Sequence, residues 1–227
     1  MGRLKTIAIV AAGGAGKRLG HRIAKPFVRL RGKPLIEYCL DILEQSSHID
    51  ALLIAIGSRH IKRLSDIVAG RPSRKSREII AGGPTRFHSV RNCIERVDRS
   101  YDIVLIHDAA RPFITEAMVR DSIRLAGEYG ACVVSVPEKE TVKSVTRDSV
   151  IEKTLERDTL WRAQTPQVFR RSLIVEAYKR APPGGRGITD DSMLVERIER
   201  RVKVLAGSYR NIKITTREDL ALAEALL

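Results

Sequence analysis

The chain has 227 residues, 43% of them hydrophobic and 30% charged, which is enough for one compact domain and too little for two ordinary ones. That balance excludes a disordered or low-complexity chain, and the apolar runs fall far short of the ~20 residues a membrane-crossing helix needs. The net charge of +14 would attract nucleic acid, an anionic surface or phosphorylated small molecules, and composition does not choose among them.

Short apolar runs at Thr6 to Ala11, Ala51 to Ile56, Asp102 to Ile106, Ala131 to Val136, Val202 to Leu205 and Ile212 to Ile214 read as strands. They are too continuous for a one-sided sheet and suit parallel strands covered on both faces. Helical patterns lie between them. Pro34 stands where a first helical residue would, and Leu35, Ile36, Cys39, Leu40 and Leu43 then share one face. Val90, Cys93, Ile94 and Val97 repeat that spacing, and Thr216-x-x-Asp219 is a capping-box-like start for the last helix. From Val136 to about Gln164 the rhythm breaks. Alternation of Thr141, Val142 and Val145, then Val150 and Ile151, around a polar turn at Arg147-Asp148-Ser149 predicts a hairpin arm at about residues 137–160. Ala181 to Gly187 is short enough to be a loop within the domain.

Alternating strand and helix predict a single α/β domain over residues 1–227, a Rossmann-like, doubly wound, mostly parallel sheet with a protruding β-hairpin arm. Ligands of such sheets lie beyond the carboxyl ends of the strands. Cys39, Cys93 and Cys132 show no metal-ligand spacing and each sits in an apolar pattern, so buried, reduced thiols are expected. Arg3 and Lys5 lead into six apolar residues and a glycine turn, unlike a secretory signal, so the expected location is cytoplasmic.

The first strand runs into Ala11-Ala12-Gly13-Gly14-Ala15-Gly16-Lys17-Arg18-Leu19, where backbone N–H groups could approach a polyphosphate. Two familiar phosphate loops are excluded. A P-loop needs glycine at Ala11 and serine or threonine at Arg18, and the dinucleotide fingerprint needs a third glycine at Leu19. What remains is a glycine turn carrying Lys17, Arg18 and, further on, Lys25. These are either solvated charges or cations placed to stabilise charge that builds when a nucleophile attacks the α-phosphate of a nucleoside triphosphate.

Asp108 follows the apolar run Asp102 to Ile106, at the carboxyl edge where a parallel sheet places its chemistry. Its carboxylate could hold Mg²⁺, which prefers oxygen ligands and substrate phosphates, or could cap the turn into Ala109 and Ala110. Arg111 could grip a phosphate with its planar fork. His107 still belongs to the strand and is expected to make a structural hydrogen bond.

Six blocks in order carry a resemblance: AAGGAGKRL at 11 to 19 with Lys25, AGGPTRFHSV at 81 to 90, HDAARPF at 107 to 113, TLWRAQTPQVF at 159 to 169, ITDDSMLVE at 188 to 196 and GSYRNIKITTREDL at 207 to 220. Running nearly end to end, they resemble the 2-C-methyl-D-erythritol 4-phosphate cytidylyltransferases of the non-mevalonate isoprenoid pathway. Those enzymes form CDP-methylerythritol and pyrophosphate from CTP and the phosphorylated alcohol. The resemblance implies that Arg18 and Lys25 stabilise the α-phosphate transition state, that Ala12, Gly13 and Gly14 line the nucleotide, and that Gly83 and Ser89 face cytosine and ribose. The alternative for Ser89 is a hydroxyl on a helix surface, and the functional reading is preferred. The resemblance further implies that Thr165 and Lys213 complete the phosphate site, with Lys213 counted as catalytic beside Arg18 and Lys25; Asp108 is expected to contact the nucleotide and hold a divalent cation such as Mg²⁺, and Arg111 to bind the substrate's phosphate. Thr141 and Arg157 are expected to reach across from a second subunit, in a homodimer built by arm exchange. Gly13 and Pro26 depart from residues common in the family, and both changes are expected to be neutral. The Arg-rich segments 71 to 77 and 197 to 203 lie outside the blocks and are expected to be solvated surface.

An enzyme that transfers CMP to ribitol 5-phosphate would share the loop, an HDA-x-RP block and TPQ, yet TDDSMLVE and GSYRNIKITT look more like the methylerythritol enzymes. A basic nucleic-acid-binding protein should interleave aromatic residues with its cations, and aromatics are only 4%. No nucleic acid or membrane partner is therefore expected.

Overall fold

The computed structural model describes residues 2–13, 24–73 and 75–227. A seven-stranded sheet runs in the order β11-β7-β10-β6-β1-β4-β5. Its strands are β1 (Thr6–Ala11), β4 (Ala51–Ile56), β5 (Ser76–Ala81), β6 (Ile103–Asp108), β7 (Ala131–Pro137), β10 (Trp161–Arg170) and β11 (Lys203–Ala206). All pairings are parallel except those of β10, which lies antiparallel between β6 and β7. Two short ribbons stand outside this sheet: β2 (Arg29–Leu30) with β3 (Lys33–Pro34), and β8 (Lys143–Val145) with β9 (Ile151–Thr154).

Side-chain alternation along each strand builds two cores. Ala8 and Val10 of β1 pack with α1 (Leu35–Gln45), α2 (Ile61–Ala69) and α4 (Glu116–Tyr129) on one face. Ile7 and Ile9 pack on the other with α3 (Arg86–Ile94), α5 (Arg171–Lys179) and α6 (Ser192–Glu196). A smaller cluster joins Leu30 and Leu35 to Ile214 and to Ala223 of α7 (Arg217–Leu226). This is the doubly wound arrangement that the strand patterns predict.

Local signals hold where they are strongest. The Thr216–Asp219 capping box forms in full at the start of α7. All three cysteines are buried and unbridged, and burial pushes each thiol up to about 12. Pro34 caps α1 rather than opening it, with the helix beginning at Leu35. Two expectations need correction. Ile212 to Ile214 forms no strand: its backbone is tied instead by the Ile214 N–H to the Ala110 carbonyl at 2.8 Å. In the 71–77 segment, Arg71 is not solvated but anchored to Glu37, Asp41 and Glu44 of α1, while Arg77 joins Glu44. Half-burial makes these ion pairs partners for α1 rather than surface charge. In the 197–203 segment, Arg197, Arg200 and Arg201 are exposed as expected.

The arm is a hairpin of β8 and β9, turned at residues 146–150 with Ser149 at φ +62°. Val145, Val150 and Ile151 are more than half exposed, at 54%, 61% and 59%, so no packing within this chain covers them.

Candidate functional site at the sheet switch point

From β1 the sheet grows one way through β4 and β5, and β6 then returns to the other side of β1. The carboxyl ends beside that reversal leave a crevice, the usual ligand position in such sheets. A cavity of about 360 Å³ lies there, lined by Ala12 and Gly13 after β1, Thr85 and Ser89 after β5, and Asp108 at the end of β6. Lys25 and Lys213 also line it. Lys25 opens the 3₁₀ turn Lys25–Phe27, seated by buried Pro26 and Phe27. Gly14, Lys17 and Arg18 lie outside the described residues.

Ser89 is 1% exposed, so it is no helix-surface hydroxyl. Its Oγ accepts from the Gly83 N–H at 3.1 Å and donates to the Thr85 carbonyl at 2.9 Å, closing the turn before α3. Gly83 immediately precedes Pro84 and Thr85, which line the cavity. A Cβ there would meet the His88 Cβ at 2.4 Å, so only glycine lets the turn close this tightly.

Asp108 is the last residue of β6 rather than the residue after it. Lys213 Nζ donates to its Oδ2 at 2.6 Å and Arg86 Nε to its Oδ1 at 2.8 Å. Burial pushes this carboxyl up, but the two cations outweigh it and hold the group well below the usual carboxylate range. Asp108 is therefore ionised throughout the neutral range.

A second cavity of about 240 Å³ shares Arg86, Asp108 and Lys213 with the first and adds Arg111, Thr165 and Asp190. Two side chains expected to bind phosphate are occupied within the chain. The Thr165 hydroxyl pairs with His107 Nδ1 at 3.0 Å and accepts from the Asp108 N–H at 3.1 Å. His107 Nε2 faces the Arg111 carbonyl at 3.0 Å, which places its proton on Nε2 and makes Nδ1 the acceptor for Thr165. His107 is fully buried, and burial pushes it down to about 4. It has the structural role expected of it. Arg111 turns its Nη1 to the Asn211 carbonyl at 2.7 Å, while its buried Nε has no hydrogen-bond partner among the described residues. Thr141 and Arg157 are exposed on the arm and line neither cavity, and the Arg157 side chain donates from Nη1 to the Lys139 carbonyl at 3.3 Å.

Sequence reasoning missed Arg86. Its guanidinium bridges Asp108 and, at 2.7 Å, Asp191. The signal was present, because Thr85 caps α3 and a cation at the first position of a helix faces the positive end of the dipole. Such a residue needs a partner beyond its own helix.

A family profile described as 2-C-methyl-D-erythritol 4-phosphate cytidylyltransferase matches residues 6–227. A relative of that name from Clostridioides difficile is 40% identical over 219 residues, 96% of this chain and 92% of its own. Another from Syntrophus aciditrophicus is 42% identical over 224 residues, 98% of this chain and 96% of its own. The crystal structure of 4-diphosphocytidyl-2C-methyl-D-erythritol synthase from Anaerococcus prevotii superposes with a TM-score of 0.87 at 31% identity, covering 98% of this chain and 96% of that one. The 2-C-methyl-D-erythritol 4-phosphate cytidylyltransferase of Thermus thermophilus gives 0.78 at 27% identity, with 98% of both chains covered. With a doubly wound sheet, a crevice at its reversal and a match from β1 to the last residue, this chain belongs to the 2-C-methyl-D-erythritol 4-phosphate cytidylyltransferase family.

Proposed function

We propose that the protein transfers the cytidylyl group of CTP to 2-C-methyl-D-erythritol 4-phosphate, giving CDP-methylerythritol and pyrophosphate in isoprenoid precursor synthesis. The observation that carries this reading is the crevice itself, with Lys25 and the Lys213–Asp108 pair lining one cavity in a chain that matches the family throughout. A phosphate oxygen of the acceptor attacks the α-phosphorus of CTP, a new P–O bond forms, and the bond to the β-phosphate oxygen breaks as pyrophosphate leaves. The protein supplies position and charge, since no covalent intermediate is needed.

In this reading Arg18 and Lys25 stabilise the charge that accumulates around the α-phosphorus and the departing pyrophosphate. Ala12, Gly13 and Gly14 offer backbone to the nucleotide, and the turn tied by Ser89 and Gly83 receives cytosine and ribose. Lys213 orients the acceptor phosphate. Thr165 and Arg111 shape that pocket, and Thr141 and Arg157 of a second subunit complete it.

The residues present fit a divalent cation in one manner. No cluster of three His, Cys, Asp or Glu groups exists among the described residues, so a closed protein cage is excluded there. One ionised carboxylate lining a polyphosphate-sized cavity suits Mg²⁺, which takes a carboxylate or two and fills its shell with phosphate oxygens and water. Asp108 would hold it, and the ion would neutralise phosphate charge. Asp108→Asn should raise the Mg²⁺ needed for half-maximal turnover, and an unchanged titration would make Asp108 structural.

Among the described residues no helix is long and apolar enough to cross a membrane. Pyrophosphate release from CTP with methylerythritol phosphate, beside ribitol 5-phosphate, tests the function. Faster release with ribitol 5-phosphate, or none with methylerythritol phosphate, would reject it.

A further inference from the structure

Charged groups alternate in sign from the cavity into the interior. Lys213 and Arg86 bracket Asp108, and the other arm of the Arg86 fork, Nη2, reaches Asp191 Oδ2 at 2.7 Å. Behind them the Tyr178 hydroxyl donates to Asp191 Oδ1 at 2.6 Å. Asp191 is 1% exposed and Tyr178 5%, and neither lines either cavity of the transfer site.

Both residues are fixed from several sides. The Asp191 and Ser192 N–H groups donate to Gln167 Oε1 of β10 at 3.0 and 3.1 Å. The Tyr178 ring stacks on Phe87, the neighbour of Arg86, with centroids 5.3 Å apart and planes 19° from parallel. Asp191 and Tyr178 thus tie β10, α5 and α3 to a single guanidinium. Stability alone does not call for this. A buried ion pair is matched or bettered by apolar side chains of similar volume, because desolvation offsets its attraction.

One guanidinium lying between two carboxylates divides its attraction between them. With its Nη2 taken by the Asp191 side chain, Arg86 gives Asp108 a single N–H, leaving lone pairs on that carboxylate for another cation. With an amide in place of the Asp191 carboxylate, the fork would be free to turn wholly to Asp108 in a bidentate pair and compete with that cation. We infer that Asp191 and Tyr178 are positioning residues for cytidylyl transfer, acting through Arg86 to keep the Asp108 carboxylate available to a divalent cation and its nucleotide. The inference rests on the proposed reading of the cavity as a cytidylyltransferase site. Burial and the Asp191 charge push the Tyr178 hydroxyl well up, which keeps it a donor at any neutral pH.

Asp191→Asn and Tyr178→Phe test the idea in the full-length protein, by Mg²⁺ titration of turnover and by calorimetric binding of CTP with Mg²⁺. Partners one layer behind a metal ligand typically matter by about 10- to 100-fold in affinity or activity, so Asp191→Asn should raise the half-saturating Mg²⁺ concentration and weaken calorimetric CTP binding by about 10-fold or more. Tyr178→Phe keeps the ring stack and removes only the hydroxyl, and should shift both in the same direction by about 3-fold, the weight of one net hydrogen bond. If Asp191→Asn does not fold, Tyr178→Phe decides. Folded variants with unchanged Mg²⁺ titration and CTP binding overturn the inference, as does a loss of turnover with both left unmoved. Wild-type protein that turns over neither acceptor would sink the proposed function instead, while the calorimetric comparison of variants would still read the relay.

Discussion

Lys25 and Arg18 belong to the same glycine-loop block, yet only Lys25 lies among the described residues, where it lines the cavity beside Pro26. If both act on charge that develops during transfer, Lys25→Ala and Arg18→Ala should each lower kcat by about 100-fold or more, with a smaller change in KM for CTP. Full activity in either would remove it from the mechanism. His107 makes a different prediction, because it carries no substrate and orders two neighbours. Its folded-state value of about 4 lies below the ~6.5 of an unfolded histidine, so the unfolded chain binds the extra proton first as pH falls. The stability contributed by neutral His107 is complete above about pH 6.5 and declines toward pH 4, by at most about 1.4 kcal/mol per pH unit. His107→Gln should flatten that part of a denaturation-against-pH curve. An equal slope in both proteins would place the acid sensitivity elsewhere.

Between α5 and α6, the loop of residues 180–191 carries three glycines with positive φ, of which two differ in a useful way. Gly184 (φ +65°) has nothing within 4 Å of a would-be Cβ, whereas at Gly185 (φ +67°) that atom would sit 2.4 Å from the Phe87 ring. Alanine at 184 should therefore cost only the left-handed backbone penalty of about 1–2 kcal/mol. At 185 it should add about 1–3 kcal/mol of overpacking against a ring stacked on Tyr178. Urea unfolding of the two variants isolates the ring contact, and equal losses would show that Phe87 yields freely. The element that sequence patterns served least is β10. Its buried centre holds Gln164, Thr165, Pro166 and Gln167, and the ladder to β7 shifts register between Ala163 and Gln167. Proline and amides read as loop, and here they are strand because the bulge removes the need for a proline donor. β5 was missed for a related reason. As an edge strand it can carry Arg77 and Glu78 in its first half, and only Ile80 is buried.

At the scale of the whole molecule, the arm exposes Val145, Val150 and Ile151 on a two-stranded ribbon, which on its own is marginal in water. Pairing two arms about a twofold axis would bury them and carry Thr141 and Arg157 to the partner's crevice. Lys25→Ala and Arg157→Ala proteins, each inactive, should then regain activity when mixed and allowed to exchange subunits. Random reassortment makes half of the dimers mixed, with one intact site of two, so recovery should approach roughly a quarter of wild-type sites. Demonstrated exchange without recovery would confine Arg157 to its own subunit or to the surface.

Local patterns determined what local physics controls: the strands at Thr6–Ala11 and Ala51–Ile56, the covered faces of α1 and α3, the cap of α7, the arm with its turn, and the ordered blocks that carry the family. These follow from periodicity and capping within a few residues, which hold wherever the segment docks. Pairings across distance were decided only in the folded chain. Asp108 and Lys213 are 105 residues apart, as are Arg86 and Asp191, and Thr165 meets His107 across 58. No spacing rule connects such positions. Antiparallel insertion of β10 between β6 and β7 sets Thr165 beside His107 and Gln167 beside Asp191, where burial makes an unpaired polar group costly and favours the partner at hand.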